Sequence, residues 1–524
     1  MLAGAAVTAL FASFTQALLV ISQEGLDSIL FWMAGSVAGR EMDAVLTIYP
    51  YLLVGFAASF ILARHINILV TGDDIARGLG QNTFVIRSLL SIIVILLAGG
   101  AVSLAGNIGF IGLIVPHIVR RILPGDFRWL LPGYAVFGAL LLLLADILAR
   151  VVLIPQEVLS GWSLPCWVRP FLSTWPERGC AMDKWLTVRN NWYSRQINTS
   201  TCTVIVLLLL ITMAVALLSL ASGKYMLSLP EVFDALRSRT IADNAFIVSI
   251  LRAPRMLMAL LAGGALAVSG LLLQTIIRNP LASPDIIGVT SGASATAVFF
   301  LSFMTSWLSV QWLPLAAMAG GFAGAALVYL LAWKSGVSPT RLILVGVGIS
   351  AVMVACTTML LVFSPLSSTL SAYVWLTGSV YGARWHEVTT LCLWLLPAAV
   401  LLVALTRTLA VNELDDALII GLGISMERAR LVLLALSVYL AGAAIAYTGA
   451  LGFVGLVAPH IARRIGGKSG ASLVVVTMLV GANMVMIADL IGRTQFLPLD
   501  LPAGIFVSAI GAPFFIYLLL RSRS

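Results

Sequence analysis

Apolar runs of about 20 residues follow one another along most of this chain, each closed by glycine, proline or a short cluster of charges. That is the length a helix needs to cross the hydrocarbon core of a bilayer. From residue 200 onwards ten such runs can be drawn, at about 203–221, 256–274, 286–306, 313–333, 341–363, 388–408, 430–448, 450–464, 473–492 and 502–520. Before residue 158 there are five, at about 2–22, 46–64, 86–104, 107–121 and 130–153. All are expected to be helices, because lipid cannot satisfy an open backbone. The expected fold is all-α, a polytopic membrane helix bundle of about 15 transmembrane helices. Small residues recur inside the runs, as in Ala262-Gly263-Gly264-Ala265, and allow helices to approach closely.

One stretch occurs twice, 343 positions apart: GNIGFIGLIVPHIVRR at 106–121 and GALGFVGLVAPHIARR at 449–464. The register extends to both sides. Trp32, Gly35 and Ser36 match Trp375, Gly378 and Ser379; Gly78-Leu79-Gly80 matches Gly421-Leu422-Gly423; Asp146 and Arg150 match Asp489 and Arg493. A period of this length is a duplicated domain rather than a solenoid repeat. The five early runs correspond to runs five to nine of the later copy, so the first copy is expected to lack the counterpart of roughly 200–342.

Composition agrees with the pattern. Charged residues make up 10% of the chain, against about 25% in a soluble domain. The net charge of +9 raises the question of nucleic acid. The basic residues sit mostly in short loops between apolar runs, which points to membrane topology and lipid headgroups instead. Met1 leads directly into an apolar stretch with no basic region before it, so no cleavable signal peptide is expected. Five cysteines without paired spacing suggest neither a disulfide framework nor a zinc site.

Residues 159–200 belong to neither copy and hold five of the 13 tryptophans, an unusual content for a linker. Read in a neighbouring frame with suitable synonymous codons, Leu159–Glu177 yields PVGVVTALLGAPFFVYLAR. The later copy has LPAGIFVSAIGAPFFIYLLLR from Leu501 to Arg521. A single-nucleotide loss near the codon of Val158 would explain this, with Met182 as the natural start of the second protein. The expected domains are a truncated half at 1–158, a junction at 159–200 and a complete ten-helix domain at 201–524.

The motifs LRAPR (251–255), GALAVSGLLLQ (264–274), RNPLASPDIIGV (278–289), WLTGS (375–379), GFVGLVAPHIARR (452–464), ADLIGR (488–493) and GAPFF (511–515) carry a resemblance. They are similar to those of the iron-siderophore, haem and cobalamin permease family of ABC importers. The resemblance covers 200–524 end to end and 1–158 as a fragment. It implies a ten-helix subunit with both termini in the cytoplasm of a bacterial inner membrane. It implies partners too: an ABC ATPase dimer, a periplasmic substrate-binding protein and, for this chain, a second permease subunit. It gives Arg252, Arg255 and Arg493, with Arg150 as the first copy's counterpart, a docking role toward carboxylates of the binding protein. In the ten-helix topology these arginines face outward, against the positive-inside rule. The plainer reading is a local i,i+4 pair, Asp489 with Arg493 and Asp146 with Arg150. Between the sixth and seventh runs, Asp415, Asp416, Ile420, Gly421, Leu422 and Gly423, with Asp73, Gly78 and Gly80 in the first copy, form a short helix closed by glycine. With the resemblance, this is the expected ATPase contact.

Ala462–Ser469 nearly spells a phosphate-binding loop, but its first glycine is replaced by Ala462 and an apolar helix precedes it instead of a strand. ATP is therefore expected to be used by separate subunits, with no cofactor and no metal held by this chain. His117 and His460 each stand alone after a proline, and a packed or capping histidine is the simpler reading. The expected function is a permease subunit for ferric-siderophore-type chelates. The alternatives are a cobalamin or haem importer, a nonfunctional fusion from a decayed locus, and a membrane-embedded enzyme. The last would need paired ionisable groups in mid-membrane.

Overall fold

A computed structural model describes residues 42–109, 111–152, 185–190, 193–237, 243–280, 282–333, 338–412, 426–466, 470–496 and 500–521, with scattered positions before residue 42. Chain compactness separates Glu24–Arg169 from a larger unit of Met1–Gln23 with Pro170–Ser524.

The smaller unit contains α1 (Met42–Ile61), α2 (Ala63–Val70), α3 (Asp73–Gly78), α4 (Thr83–Ala105), α5 (Ile111–Ile122) and α6 (Phe127–Val152). Its helices α1 and α4 pack together, as do α5 and α6. Asn82 caps α4 by accepting from the Val85 amide. Asn67 bridges α2 to the start of α6: its amide donates to Asp126 at 2.6 Å, and its oxygen accepts from the Phe127 amide at 2.9 Å. The backbone N–H of Arg128 and the Asn67 amide hold the Asp126 carboxyl below the usual carboxylate range.

The larger unit opens with an antiparallel hairpin, β1 (Trp185–Asn190) and β2 (Tyr193–Asn198), in register from Trp185 opposite Asn198 to Asn190 opposite Tyr193. The described apolar spans are all helical, as expected, and this short hairpin is an addition ahead of them. Thr187, Val188, Tyr193 and Ile197 favour extended backbone, and a pattern read for spans passes over so short a pair. There follow α7 (Thr199–Ala221), α8 (Leu229–Arg237), α9 (Ala253–Ile277), α10 (Val289–Phe299), α11 (Leu313–Ala332), α12 (Pro339–Val362), α13 (Leu366–Thr377), α14 (Trp385–Asn412), α15 (Met426–Thr448), α16 (Val454–Ile465), α17 (Gly470–Thr494) and α18 (Ala503–Arg521).

The axis of this unit is α9, which packs against α14, α15, α16 and α17 and is buried almost throughout from Met258 to Ile277. Small residues make that possible. A Cβ on Gly270 would lie 1.8 Å from the Gly455 carbonyl oxygen, and one on Gly263 would lie 2.5 Å from that of Gly481. Polar side chains lock the crossings: the Ser269 hydroxyl donates to the Ser437 carbonyl at 2.7 Å and the Ser437 hydroxyl donates back to Ser269 at 2.9 Å.

Among the described residues ten helices are long and apolar enough to span a membrane, three in the smaller unit and seven in the larger. The runs expected at 286–306 and 450–464 are shorter: α10 has 11 residues before a π-helical extension, and α16 has 12. Phe453 in the left-handed region bounds α16 at one end and Gly466 at the other. Such broken helices are tolerated at membrane depth when protein surrounds them, as it does buried Val454, Val457 and Ala458.

The repeat is visible in the helix ends. Thr83 and Ala105 of α4 take the repeat positions of Met426 and Thr448 of α15, and Ile111 and Ile122 of α5 those of Val454 and Ile465 of α16. The turn chemistry repeats as well. Gly106 and Gly449 have φ of 74° and 70°, and a Cβ on either would strike the carbonyl oxygen of Trp32 (2.1 Å) or Trp375 (2.0 Å). What differs is burial. Of the apolar window in α15, 72% is buried, against 6% in α4. The reason is α9, which covers α15 and has no counterpart among the described residues of the smaller unit.

Candidate functional site

The C-terminal end of α7 presents the unpaired carbonyls that every helix leaves, together with the negative end of its dipole. Two arginines from other helices cover it. Arg252 stands at the junction of a π-helical stretch, Ile247–Arg252, with α9. Pro254 follows closely and has no N–H to return to Ile250, which favours the wider turn. The Arg252 guanidinium donates to the carbonyls of Leu220 at 2.7 Å, Ala221 at 2.9 Å and Tyr225 at 2.5 Å. A Cβ on Gly223 would lie 2.7 Å from its terminal nitrogen, so a side chain there would push the guanidinium away from these carbonyls. Arg493, in the last turn of α17, donates to the Ser219 carbonyl, to the Ser219 hydroxyl at 2.8 Å and to the Ser222 carbonyl at 3.1 Å.

Arg255, in the first turn of α9, is placed differently. Its Nε donates to both carboxylate oxygens of Asp489, at 2.9 and 3.1 Å, and a terminal nitrogen lies 2.8 Å from Asp489 Oδ1. The other terminal nitrogen faces Asp500 at 3.4 Å, and the guanidinium lies 5.3 Å from the Tyr381 ring centroid. Asp489 also faces Arg493 at 3.6 Å, the expected i,i+4 pair. The cluster thus joins α7, α9, α17 and the segments that carry Tyr381 and Asp500.

The docking expectation narrows here. Arg252 and Arg493 are 7% and 6% exposed; their terminal nitrogens donate inside the unit, mainly to backbone carbonyls, and Arg493 Nε is buried facing Asp489 at 3.6 Å. Neither has a free edge to offer a docking protein. Arg255 has one, toward the 42%-exposed Asp500 side chain. Arg150 lies within α6, and its side chain is outside the described residues. Beside the cluster, Glu231 reaches back to Ser228 at the start of α8, one half of a capping box. The Ser228 amide and hydroxyl donate to the Glu231 carboxylate, which they hold below the usual range.

Elsewhere in the larger unit, Gln274 at the end of α9 donates to the carbonyls of Gly455 and Leu456 at 3.4 and 3.3 Å and accepts from Arg463 at 2.5 Å. Arg463 is the repeat counterpart of Arg120, which donates instead to the Tyr134 hydroxyl at 3.1 Å. Sequence reasoning missed both this clamp and the partners Tyr381 and Asp500. Gln274 closes the GALAVSGLLLQ motif, but no spacing links it to a residue 189 positions away. His460 packs edge-on against Phe514 with ring centroids 6.0 Å apart. Among the described residues no three His, Cys, Asp or Glu side chains form a metal-holding group.

The expected coupling segment at Asp415, Asp416, Ile420, Gly421, Leu422 and Gly423 lies outside the described residues. Its first-copy counterpart is described. There α3 ends in a Schellman turn: Gly80 at φ 79° donates to Arg77, and Gln81 donates to Ala76. Asp73, in the first turn of α3, pairs with Arg87 of α4. Ile75 and Leu79 stand exposed on this element, and a Cβ at Gly78 or Gly80 would meet nothing within 4 Å. The arrangement is a compact knob with two outward apolar side chains.

The profile of the FecCD transport family matches residues 1–174 and 208–521. The chain belongs to the FecCD transport family. Its FecCD relatives match it in two ways. The achromobactin transport system permease protein CbrC of Dickeya dadantii is 58% identical over 342 residues, 65% of this chain and 98% of that protein. The iron(3+)-hydroxamate import permease FhuB of Salmonella typhimurium is 30% identical over 534 residues, 99% of this chain and 74% of that protein. A solved metal-chelate-type ABC transporter in an inward-facing conformation is 31% identical, with a TM-score of 0.54, covering 61% of this chain and 99% of its own. The FecCD fold of this chain is thus a multi-pass helical membrane bundle.

Proposed function

We propose that the chain is the membrane permease of a bacterial inner-membrane ABC importer for ferric-siderophore-type chelates. The observation that carries this is the match to an achromobactin permease over 98% of that protein. Ferric achromobactin is therefore the first substrate to test. Separate ATPase subunits, a substrate-binding protein and a second permease subunit complete the importer. Transport needs no covalent chemistry: a loaded binding protein at one face and ATP-driven closure at the other bias two arrangements of the helices. The ten-helix domain at 201–524 forms one half of the path. Residues 1–158 contribute a second, partial one.

Two elements connect this machine to its partners. Arg255, flanked by exposed Tyr381, offers a guanidinium edge to a carboxylate of the binding protein, a pairing that arginine makes well. Charge reversal by Arg255→Glu is expected to weaken binding-protein docking about ten-fold or more, the range for truncating a buried charged partner. The loss should be largest at low salt, where screening is least. Titration of the reconstituted permease at two ionic strengths checks this, and affinity indifferent to both changes would remove the docking role.

The knob at Asp73–Gly80 and the segment of matching sequence at Asp415–Gly423 are the ATPase contacts. Gly80 requires a positive φ, and Gly423 holds the same repeat position. Gly423→Val, together with Gly421→Val, is expected to leave membrane insertion intact and to abolish substrate-driven uptake in proteoliposomes while ATP hydrolysis persists. Unchanged uptake by that variant would rule out the segment as the coupling contact. Uptake of iron-55-labelled ferric achromobactin by the chain with its ATPase, its binding protein and a second permease subunit tests the function as a whole. Failure with this chelate but uptake of ferric citrate or a ferric hydroxamate would keep the class and change the substrate.

A further inference from the structure

The arginine cluster holds three cations, Arg252, Arg255 and Arg493, against two carboxylates, Asp489 and Asp500, and the two carboxylates are not equivalent. Asp489 is 2% exposed and shares its oxygens between Arg255 and Arg493. Its position inside the bundle makes it permanent. Asp500 is 42% exposed, comes from the segment between α17 and α18, and touches Arg255 only through the one terminal nitrogen that Asp489 leaves free. At 3.4 Å the contact is long for a charge-assisted hydrogen bond, which closes to about 2.7–2.9 Å when geometry is good. The outer edge of Arg255 is thus already covered, loosely, by a carboxylate of the chain's own.

We infer that Asp500 is a placeholder: it occupies the site on Arg255 that an acidic side chain of the docking protein takes, and it must swing away for that partner to bind. This rests on the docking role proposed for Arg255. Three features favour it. The nearby arginines are buried and turn their terminal nitrogens to groups at and just beyond the end of α7, so Arg255 is the member of the cluster whose donor reaches an exposed side chain. Tyr381, 64% exposed, lies 5.3 Å from the guanidinium and gives the incoming acidic side chain an apolar wall to rest against. A loose, half-exposed ion pair is also inexpensive to break, so the placeholder keeps the buried guanidinium solvated by charge in the resting state without blocking exchange. It also sets selectivity, because a neutral surface cannot displace Asp500, whereas a carboxylate in bidentate geometry can.

The test uses the full chain in nanodiscs and the purified substrate-binding protein that supports its uptake, with association and dissociation followed by surface plasmon resonance. Asp500→Asn removes the competing charge and keeps the shape. It is expected to tighten docking about two- to five-fold, the scale of an exposed ion pair. Most of the gain should lie in association, and it should fade as salt is raised. Arg255→Gln is measured alongside. If Arg255→Gln weakens docking while Asp500→Asn leaves it unchanged or weaker, Asp500 is a structural partner and the placeholder idea is wrong, with the docking role intact. If Arg255→Gln leaves docking unchanged, the docking role falls and the placeholder falls with it. Asp500→Glu is expected to dock like the unaltered chain, and tightening in that variant would show that shape rather than charge governs the site.

Discussion

Asp489→Ala is expected to destabilise the permease by about 3–5 kcal/mol, the cost of breaking a buried ion pair from one side. Asp489 is 2% exposed and faces Arg255 at 2.8 Å and Arg493 at 3.6 Å. Removing it leaves Arg493 facing no carboxylate and Arg255 with only the loose 3.4 Å contact to Asp500, and both arginines belong to helices that must meet at this point, α9 and α17. A thermal melt of the detergent-solubilised chain, followed by size-exclusion fluorescence, should show a large fall in midpoint or no folded peak. Asp489→Asn keeps some hydrogen bonds and should fall in between. Combining Asp489→Ala with Arg255→Met should recover part of the loss, because one of the uncompensated charges then disappears as well. A single variant that melts with the unaltered protein would mean that water reaches the cluster and that the pair stabilises nothing.

Gly270→Val is expected to prevent assembly of the larger unit altogether. The atoms that a Cβ would meet are the Gly455 carbonyl oxygen at 1.8 Å, its carbon at 2.4 Å and its Cα at 2.5 Å. All three are backbone, so no side chain can rotate aside, and α9 and α16 would have to separate. Overpacking in an ordinary core costs about 1–3 kcal/mol, and a backbone clash at a helix crossing exceeds that. Gly442, in α15, gives the control: a Cβ there would meet only the flexible Met318 side chain at 3.8 Å. Gly442→Ala should therefore express and melt almost normally. Equal yields of folded Gly270→Val and Gly442→Ala would contradict the close crossing.

The two halves of the chain show where sequence reading succeeds. Thr83–Ala105 and Met426–Thr448 could be matched by register alone, and the structure gives both stretches the same helix ends. Gly106 and Gly449 could be matched too, but their reason could not: each sits where a tryptophan carbonyl leaves no room for a Cβ. The arginines were legible as odd residues at helix ends. Their division of labour was not, because the carbonyls that Arg493 covers lie 271 and 274 positions away. Asp500 and Tyr381 carried no signal, being an ordinary acid and an ordinary aromatic in loops.

Local order along the chain was therefore written in composition and period. Apolar length, the glycines that close each run and the register of the duplication depend only on neighbours in sequence and on the demand of lipid that backbone groups pair within the protein. The shortness of α16, the bare face of α4 and the roles within the arginine cluster depend on which groups folding leaves uncovered. A helix end exposes carbonyls whatever its sequence, and a buried arginine serves whichever of them, or whichever carboxylate, packing brings within 3 Å. Only the assembled bundle makes Arg252 and Arg493 caps of α7 and leaves Arg255 with an edge turned outward.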